Sequence, residues 1–360
     1  MNLSEDLDSN NYKIENKNAT RLEYVDVLKG FGILCMVTTH ISPLNGLEKC
    51  LASFMIPLFF IMSGYLFNFE KYQNSFSTFI KTRAKRLLLP YFLCFILFFL
   101  YWLFFTFKGP LTGYSINQVF EAFIYQLTGY LYGCGSVDMP YPLKDNIMPI
   151  FALWFIPALF IADIILLFFL KVTNKTHAIF QFILLCLLML FGKYLGTITF
   201  WPWGIDIAIV SMIFLWTGYK MKQYDLIEII NNFRFKNILL FLLICIWIFS
   251  IPFYNYSFND RIYNNLPLSF LVSTLITIVF FSIAKSYTNI LNFKNILSYL
   301  GQQSMIILCM HYTLYLNTPE NSILRQYFVL EIIYVILASL ALGIIISKIP
   351  FLTNIFSRRI

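Results

Sequence analysis

Charge is scarce in this chain: Lys, Arg, Asp and Glu make up 12% of its 360 residues, while 59% are hydrophobic, among them 40 Phe and 23 Tyr. So few charges cannot solvate the surface of an ordinary globular domain, which excludes a soluble fold. The short alternating segments of a membrane β-barrel are also missing. No C-x-x-C pair occurs among the seven cysteines, and Cys35, Cys94, Cys186, Cys245 and Cys309 sit inside apolar runs. A zinc or dithiol redox motif is therefore not expected, and no metal is assigned. Only Cys50 and Cys134 fall in outer segments, which leaves a disulfide between them open. The first twenty residues are polar, with Glu5, Asp6, Asp8 and Glu15, and lack the apolar core of a cleavable signal peptide. The first hydrophobic helix is expected to stay in the mature protein. Internal repeats, low-complexity tracts and an appended soluble domain are likewise not seen.

What remains is a succession of apolar runs of about twenty residues, the length that carries a helix across a bilayer. Ten spans are expected, at 25–41, 51–68, 87–107, 149–170, 178–195, 204–219, 237–253, 267–284, 296–316 and 327–347. The tails and the loops after even-numbered spans hold 19 of the 26 Lys and Arg. The loops after odd-numbered spans hold only Lys49, Lys108, Lys144, Lys193, Arg261 and Arg325, and Lys29 lies within the first span. Basic loops stay on the cytoplasmic side, so both termini are placed there. The predicted fold is an all-α polytopic membrane bundle of about ten helices, with a cytoplasmic tail over 1–20, a membrane domain over 21–350 and a second tail over 351–360. The net charge of +8 is then a matter of topology and calls for no nucleic acid.

The first span is the most unusual, because it carries Asp26, Lys29 and His40 into the membrane. Ionisable groups are expensive in hydrocarbon unless they face protein or water, which makes them functional candidates. Lys29 and His40 are eleven residues apart. At 3.6 residues per turn they return to within about 20° of one another, separated by about 16 Å along one helix face. Neutral imidazole is suited to accept a proton near neutral pH, so His40 reads as a general base acting on a hydroxyl; the plainer reading is a ring that reaches the outer interface.

Cytoplasmic to the third span stand Arg83, Lys85 and Arg86, with Arg83 and Arg86 on one face. Together with Lys29 they suit a polyphosphate group, since guanidinium groups bind phosphate oxygens in pairs; contact with anionic lipid headgroups is the alternative. Ser63 and Gly64 end the second span as a small pair that permits close helix contact. Ser304 and His311 share a face of the ninth span, and Asp163 and Asp206 lie in the fourth and sixth. Either acid is a candidate to orient His40, and each also fits a purely structural polar contact between helices. The longest outer loop, 108–148, places Val119, Phe120, Phe123, Ile124 and Leu127 at helical spacing, as in a surface-lying amphipathic helix. Tyr130, Tyr132, Gly133, Gly135, Tyr141 and Pro142 follow, a mixture that suits either sugar stacking or an interfacial aromatic belt.

The order of these features is itself informative: Tyr-Val-Asp26-Val-Leu-Lys29-Gly30 through His40; Pro57-Leu-Phe-Phe-Ile-Met-Ser63-Gly64-Tyr65-Leu66; Arg83-x-x-Arg86 with Pro90-Tyr91; Trp154-Phe155; Asp206, then Trp216-Thr-Gly218-Tyr219; and Gly301-x-x-Ser304 to His311. The chain resembles acyltransferase family three, integral-membrane acyltransferases, and looks most similar to their sugar O-acetyltransferase, fucose O-acetylase-like subgroup. The resemblance covers about residues 21–350. It implies that His40 is catalytic and that Arg83 and Arg86 help bind an acyl-CoA donor. The family has an Arg eleven residues before that His, where this chain has Lys29. Larger relatives append an extracytoplasmic hydrolase-like domain, and without one acceptor selection is expected in the membrane domain or a partner. The expected function is transfer of acetyl from cytoplasmic acetyl-CoA, used as co-substrate, to a hydroxyl of a cell-envelope or exported polysaccharide or its lipid-linked precursor, at the bacterial cytoplasmic membrane. Membrane lipids, the glycan acceptor, and polysaccharide-assembly proteins or a second copy are the partners this implies. A glycan transporter or a non-catalytic assembly subunit is the alternative.

Overall fold

The computed structural model describes residues 22–106, 115–290, 292–349 and 352. Lys108 and the expected tails over 1–20 and 351–360 lie outside these residues, apart from Leu352. In chain order the helices are α1 (Glu23–Ile41), α2 (Asn45–Tyr65), α3 (Phe76–Tyr101), α4 (Ile116–Tyr132), α5 (Phe155–Thr173), α6 (Ala178–Ile198), α7 (Ile205–Gln223) and the short α8 (Leu226–Asn232). They continue with α9 (Lys236–Ser250), α10 (Leu266–Tyr287), α11 (Lys294–Gln302), α12 (Ser304–Leu316) and α13 (Phe328–Ser347). Among the described residues nine helices are long and apolar enough to cross a membrane: α1, α2, α3, α5, α6, α7, α9, α10 and α13. The protein is thus a polytopic helical membrane bundle, as its composition requires.

Two of the sequence expectations are corrected. The ninth span is not one helix: it breaks at Gln303 (φ −92°, ψ 8°) into α11 and α12. And Cys50 and Cys134 are both free thiols. Cys134 instead receives a long hydrogen bond from Arg261 Nη1, at 3.7 Å.

Contacts at the helix ends sort into two sets that match the alternation of basic loops. On one side Lys294 pairs with Glu23 at 3.7 Å, and Lys285 pairs with Glu228. On the other, Tyr101 donates to Asn317, Tyr132 to the Phe200 carbonyl, Ser136 to Asp260, and Arg261 pairs with Asp206. The first set joins segments predicted to be cytoplasmic, the second joins segments predicted to be outside.

Backbone-to-backbone approaches fix the helices around the site. A Cβ on Gly30 would overlap the carbonyl of Leu297, and one on Gly301 would overlap the carbonyl of Asp26. The α1–α11 crossing therefore needs glycine on both sides. The α2–α7 crossing repeats this, with Gly64 against the Leu215 carbonyl and Gly218 against that of Ile61. Within α2, Pro57 cannot donate to the carbonyl four residues back. That carbonyl, on Ser53, accepts the Ser273 hydroxyl from α10 instead.

The outer helix α4 begins on a capping box of Ser115 and Gln118 and stops at Gly133, whose φ of 75° no L side chain adopts comfortably. Phe123 packs on Phe95 and Phe99 of α3, with ring centroids 5.7 and 4.9 Å away. Ile116 and Phe120 remain exposed, consistent with a surface-lying helix. Beyond α9, the chain forms a hairpin the sequence reading did not foresee: β1 (Tyr256–Ser257) pairs antiparallel with β2 (Ile262–Tyr263).

Candidate active site

One cavity of about 1420 Å³ is lined by residues from both ends of α1, among them Lys29 and His40. Along α1 its wall is the stripe Asp26, Lys29, Ile33, Met36 and His40, residues three or four apart and so on one helix face. At the end predicted to be cytoplasmic the lining includes Lys29, Lys71, Lys81, Arg83, Lys85, Arg86 and Lys222. The lining also includes four methionines, Met36, Met55, Met62 and Met305. Thioether side chains suit a passage that must fit a flexible chain.

Local sequence explains how Arg83 is held. Helix α3 begins at Phe76 rather than near 87, so Arg83 and Arg86 lie on the helix itself. Asp163 of α5, wholly buried, accepts a hydrogen bond from Ser63 Oγ at 2.8 Å, and its other oxygen lies 3.3 Å from Arg83 Nε. Asp163 is thereby committed to Arg83 and Ser63, and not to His40. Asp206 is also engaged elsewhere: Arg261 Nε and Nη2 reach its two oxygens at 2.8 and 3.3 Å. Neither acid orients His40.

His40 occupies the last turn of α1, and its neighbours come from α12. The His311 ring lies 5.3 Å from it between centroids, and Tyr312 meets it edge-on at 5.2 Å. Tyr312 in turn stacks on Phe151 at 4.7 Å. Phe151 has a φ of 49°, a backbone conformation rare for a bulky residue and found where surroundings enforce it. His311 is fully buried, with Nδ1 3.0 Å from the carbonyls of both Ile307 and Leu308. Carbonyls only accept, so Nδ1 carries the hydrogen and Nε2 is the bare acceptor. That Nε2 has no hydrogen-bond partner among the described protein atoms.

Of the residues singled out from sequence, Asp26, Lys29, His40, Ser63, Arg83, Arg86 and Ser304 all line the cavity. Asp163 stands behind Arg83, and His311 stands beside His40. Asp206, on α7, is instead paired with Arg261 of the hairpin. The aromatic and glycine mixture after α4 is mostly structural. Tyr130 is buried and its carbonyl accepts the Tyr91 hydroxyl, Tyr132 donates to Phe200, and Gly135 alone of that group lines the cavity.

Beside Trp154, which the sequence reading had noted, the lining includes residues it missed: Phe151, Tyr312, and Tyr256–Asp260 of the hairpin. A signal was present for the hairpin, since Asn259-Asp260 between tyrosines is turn chemistry flanked by strand formers.

The family model of the acyltransferase domain of acyltransferase family 3 matches residues 22–348. The chain belongs to that family, and it is a multi-pass membrane acyltransferase. No curated protein and no solved structure matches it.

Proposed function

We propose that this acyltransferase moves acetyl from cytoplasmic acetyl-CoA to a hydroxyl of an extracytoplasmic glycan or its lipid-linked precursor, in a bacterial cytoplasmic membrane. The observation that carries the reading is that a cytoplasmic cluster of cations and the imidazole of His40 line one cavity. Cations held in a cleft with low-dielectric walls attract a polyphosphate and position it. Arg83 is the best oriented of them, because Asp163 fixes its guanidinium. The CoA phosphates bind at Arg83, Arg86 and Lys29, and the arm that bears the thioester extends along α1 toward His40. The Lys29-to-His40 rise of about 16 Å is the length this arm spans.

At the outer end His40 takes the proton of the acceptor hydroxyl as its oxygen attacks the thioester carbonyl. The carbon–oxygen bond forms, the carbon–sulfur bond breaks, and the thiolate leaves with the proton that His40 returns. A second order of events has His40 carry the acyl group first and pass it to the hydroxyl, with the same products. In both, His311 positions His40 from the side away from the donor.

Purified protein in vesicles, given labelled acetyl-CoA on the side of the basic loops, tests this reading. Consumption of acetyl-CoA that requires His40 supports it, and separates a transferase from a glycan transporter. Equal consumption by His40→Ala, or no binding of CoA at all, overturns it.

A further inference from the structure

The outer half of the cavity differs in chemistry from the inner half. Its charged lining is Glu48 and Asp260, and no lysine or arginine among the described residues lines it. Arg261, next to Asp260 in sequence, is bound to Asp206, donates to the Asn259 carbonyl at 2.6 Å and stacks over Phe200 at 4.0 Å. Asp260 is not a loose surface acid. Ser136 Oγ donates to its Oδ1 at 2.8 Å and Ser257 Oγ to its Oδ2 at 2.8 Å, so both oxygens are fixed while lone pairs remain to accept more.

Beside it, three buried polar atoms on the same hairpin have no hydrogen-bond partner among the described residues: the Tyr263 hydroxyl, away from the cavity, and the Tyr256 hydroxyl and Asn259 Oδ1. Tyr256 is 8% exposed, and it and Asn259 line the cavity. Burial holds the Tyr256 phenol above its ordinary range, so it remains a donor. Buried polar atoms are nearly always satisfied, so the pair on cavity-lining residues is available to a ligand's hydroxyls. The lining beside these residues is aromatic, with Trp154 and Tyr312. Gly135 lets the chain segments meet: a Cβ there would overlap the Phe151 carbonyl and Trp154, and approach Asn259 Oδ1 to 2.7 Å.

We propose that this outer chamber is the acceptor subsite and that it takes an uncharged, hydroxyl-rich ring, with Tyr256, Asn259 and Asp260 reading the hydroxyls. Acceptors bearing a carboxylate or phosphate beside the reacting hydroxyl are excluded. This rests on the acyl-transfer reading above, but it assigns the substrate class and the residues that choose it. A donor, an amide oxygen and a fixed carboxylate together match the mixed donor and acceptor character of neighbouring hydroxyls. The carboxylate repels an anion that no cation in the chamber offsets.

The test uses the full chain in vesicles with acetyl-CoA and two probes, a methyl hexopyranoside and its methyl hexuronate counterpart. The wild type is expected to acetylate the neutral probe at least about tenfold faster, the scale of one charge-assisted contact. Asp260→Asn is expected to raise the KM for the neutral probe about tenfold and to narrow the preference over the uronate, leaving CoA affinity unchanged. Tyr256→Phe is the companion variant: deleting an unpartnered hydroxyl costs no stability, so a raised acceptor KM in a protein of unaltered melting temperature reports lost acceptor contact. Equal use of the uronate, transfer to neither probe while acetyl-CoA is still turned over, or unchanged acceptor KM in both variants overturns the proposal. Absence of His40-dependent acetyl-CoA consumption would instead overturn the acyl-transfer reading itself.

Discussion

His40 on α1 and His311 on α12 hold their imidazoles 5.3 Å apart between ring centroids, and only His40 lines the cavity. The tautomer of His311 is set by two backbone carbonyls, which leaves its bare nitrogen as an acceptor in an otherwise closed environment. That ring does not line the cavity, so on the proposed reading its part in transfer goes through His40.

His40→Gln is accordingly expected to lower transfer by about 10²- to 10⁴-fold, the range of general-base catalysis. His311→Gln is expected to lower kcat while leaving the KM for acetyl-CoA in place. Steady-state kinetics with purified protein decide the matter, and a raised KM with normal kcat would show that His311 meets the donor directly.

Arg83 and Arg86 differ in their setting, since Asp163 braces Arg83. Arg86 is exposed, so Arg86→Ala is expected to weaken CoA affinity about tenfold, more at low salt, with no loss of stability. Arg83→Ala also strands the wholly buried Asp163, and that adds a penalty of about 3–5 kcal/mol. Asp163→Asn should weaken CoA binding too, although Asp163 does not line the cavity. Calorimetric titration with CoA, set beside thermal melts, separates these effects.

Glycine at the two backbone crossings is obligatory by geometry. Gly30→Ala or Gly301→Ala forces α1 and α11 apart, and either is expected to lower the yield of folded protein in detergent. Gly46 is the internal control. Nothing lies within 4 Å of a Cβ there, and alanine in that helix turn is expected to stabilise by up to about 1 kcal/mol. A Gly30→Ala protein with a wild-type melting curve would contradict the crossing.

The Arg261–Asp206 pair lies outside the cavity lining, and its loss should register as stability rather than chemistry. Arg261→Met leaves Asp206 buried and unpaired and is expected to cost about 3–5 kcal/mol. Adding Asp206→Leu should restore much of that, since a buried ion pair replaced by apolar groups is often neutral. Failure of the second change to rescue the first would show that Asp206 has a separate task.

The helical bundle was legible because each span carries its own signal, a run of apolar residues between polar loops. The face shared by Lys29 and His40 was legible for a similar reason, since helical periodicity is local. The fate of Asp163 and Asp206 was not, because their partners come from other helices: Arg83 lies on α3, Arg261 on a hairpin between α9 and α10. The break at Gln303 escaped detection because no proline or glycine occupies the turning residue; Gly301 serves the contact with α1. The disulfide suggested by two outer cysteines fails because Cys134 is packed beneath Arg261.

Four of the residues that line the cavity are methionines, Met36, Met55, Met62 and Met305. On the proposed reading, thioethers bend around a slender acyl arm while offering a hydrated cation no oxygen in exchange for its water, so the lining favours the donor over ions.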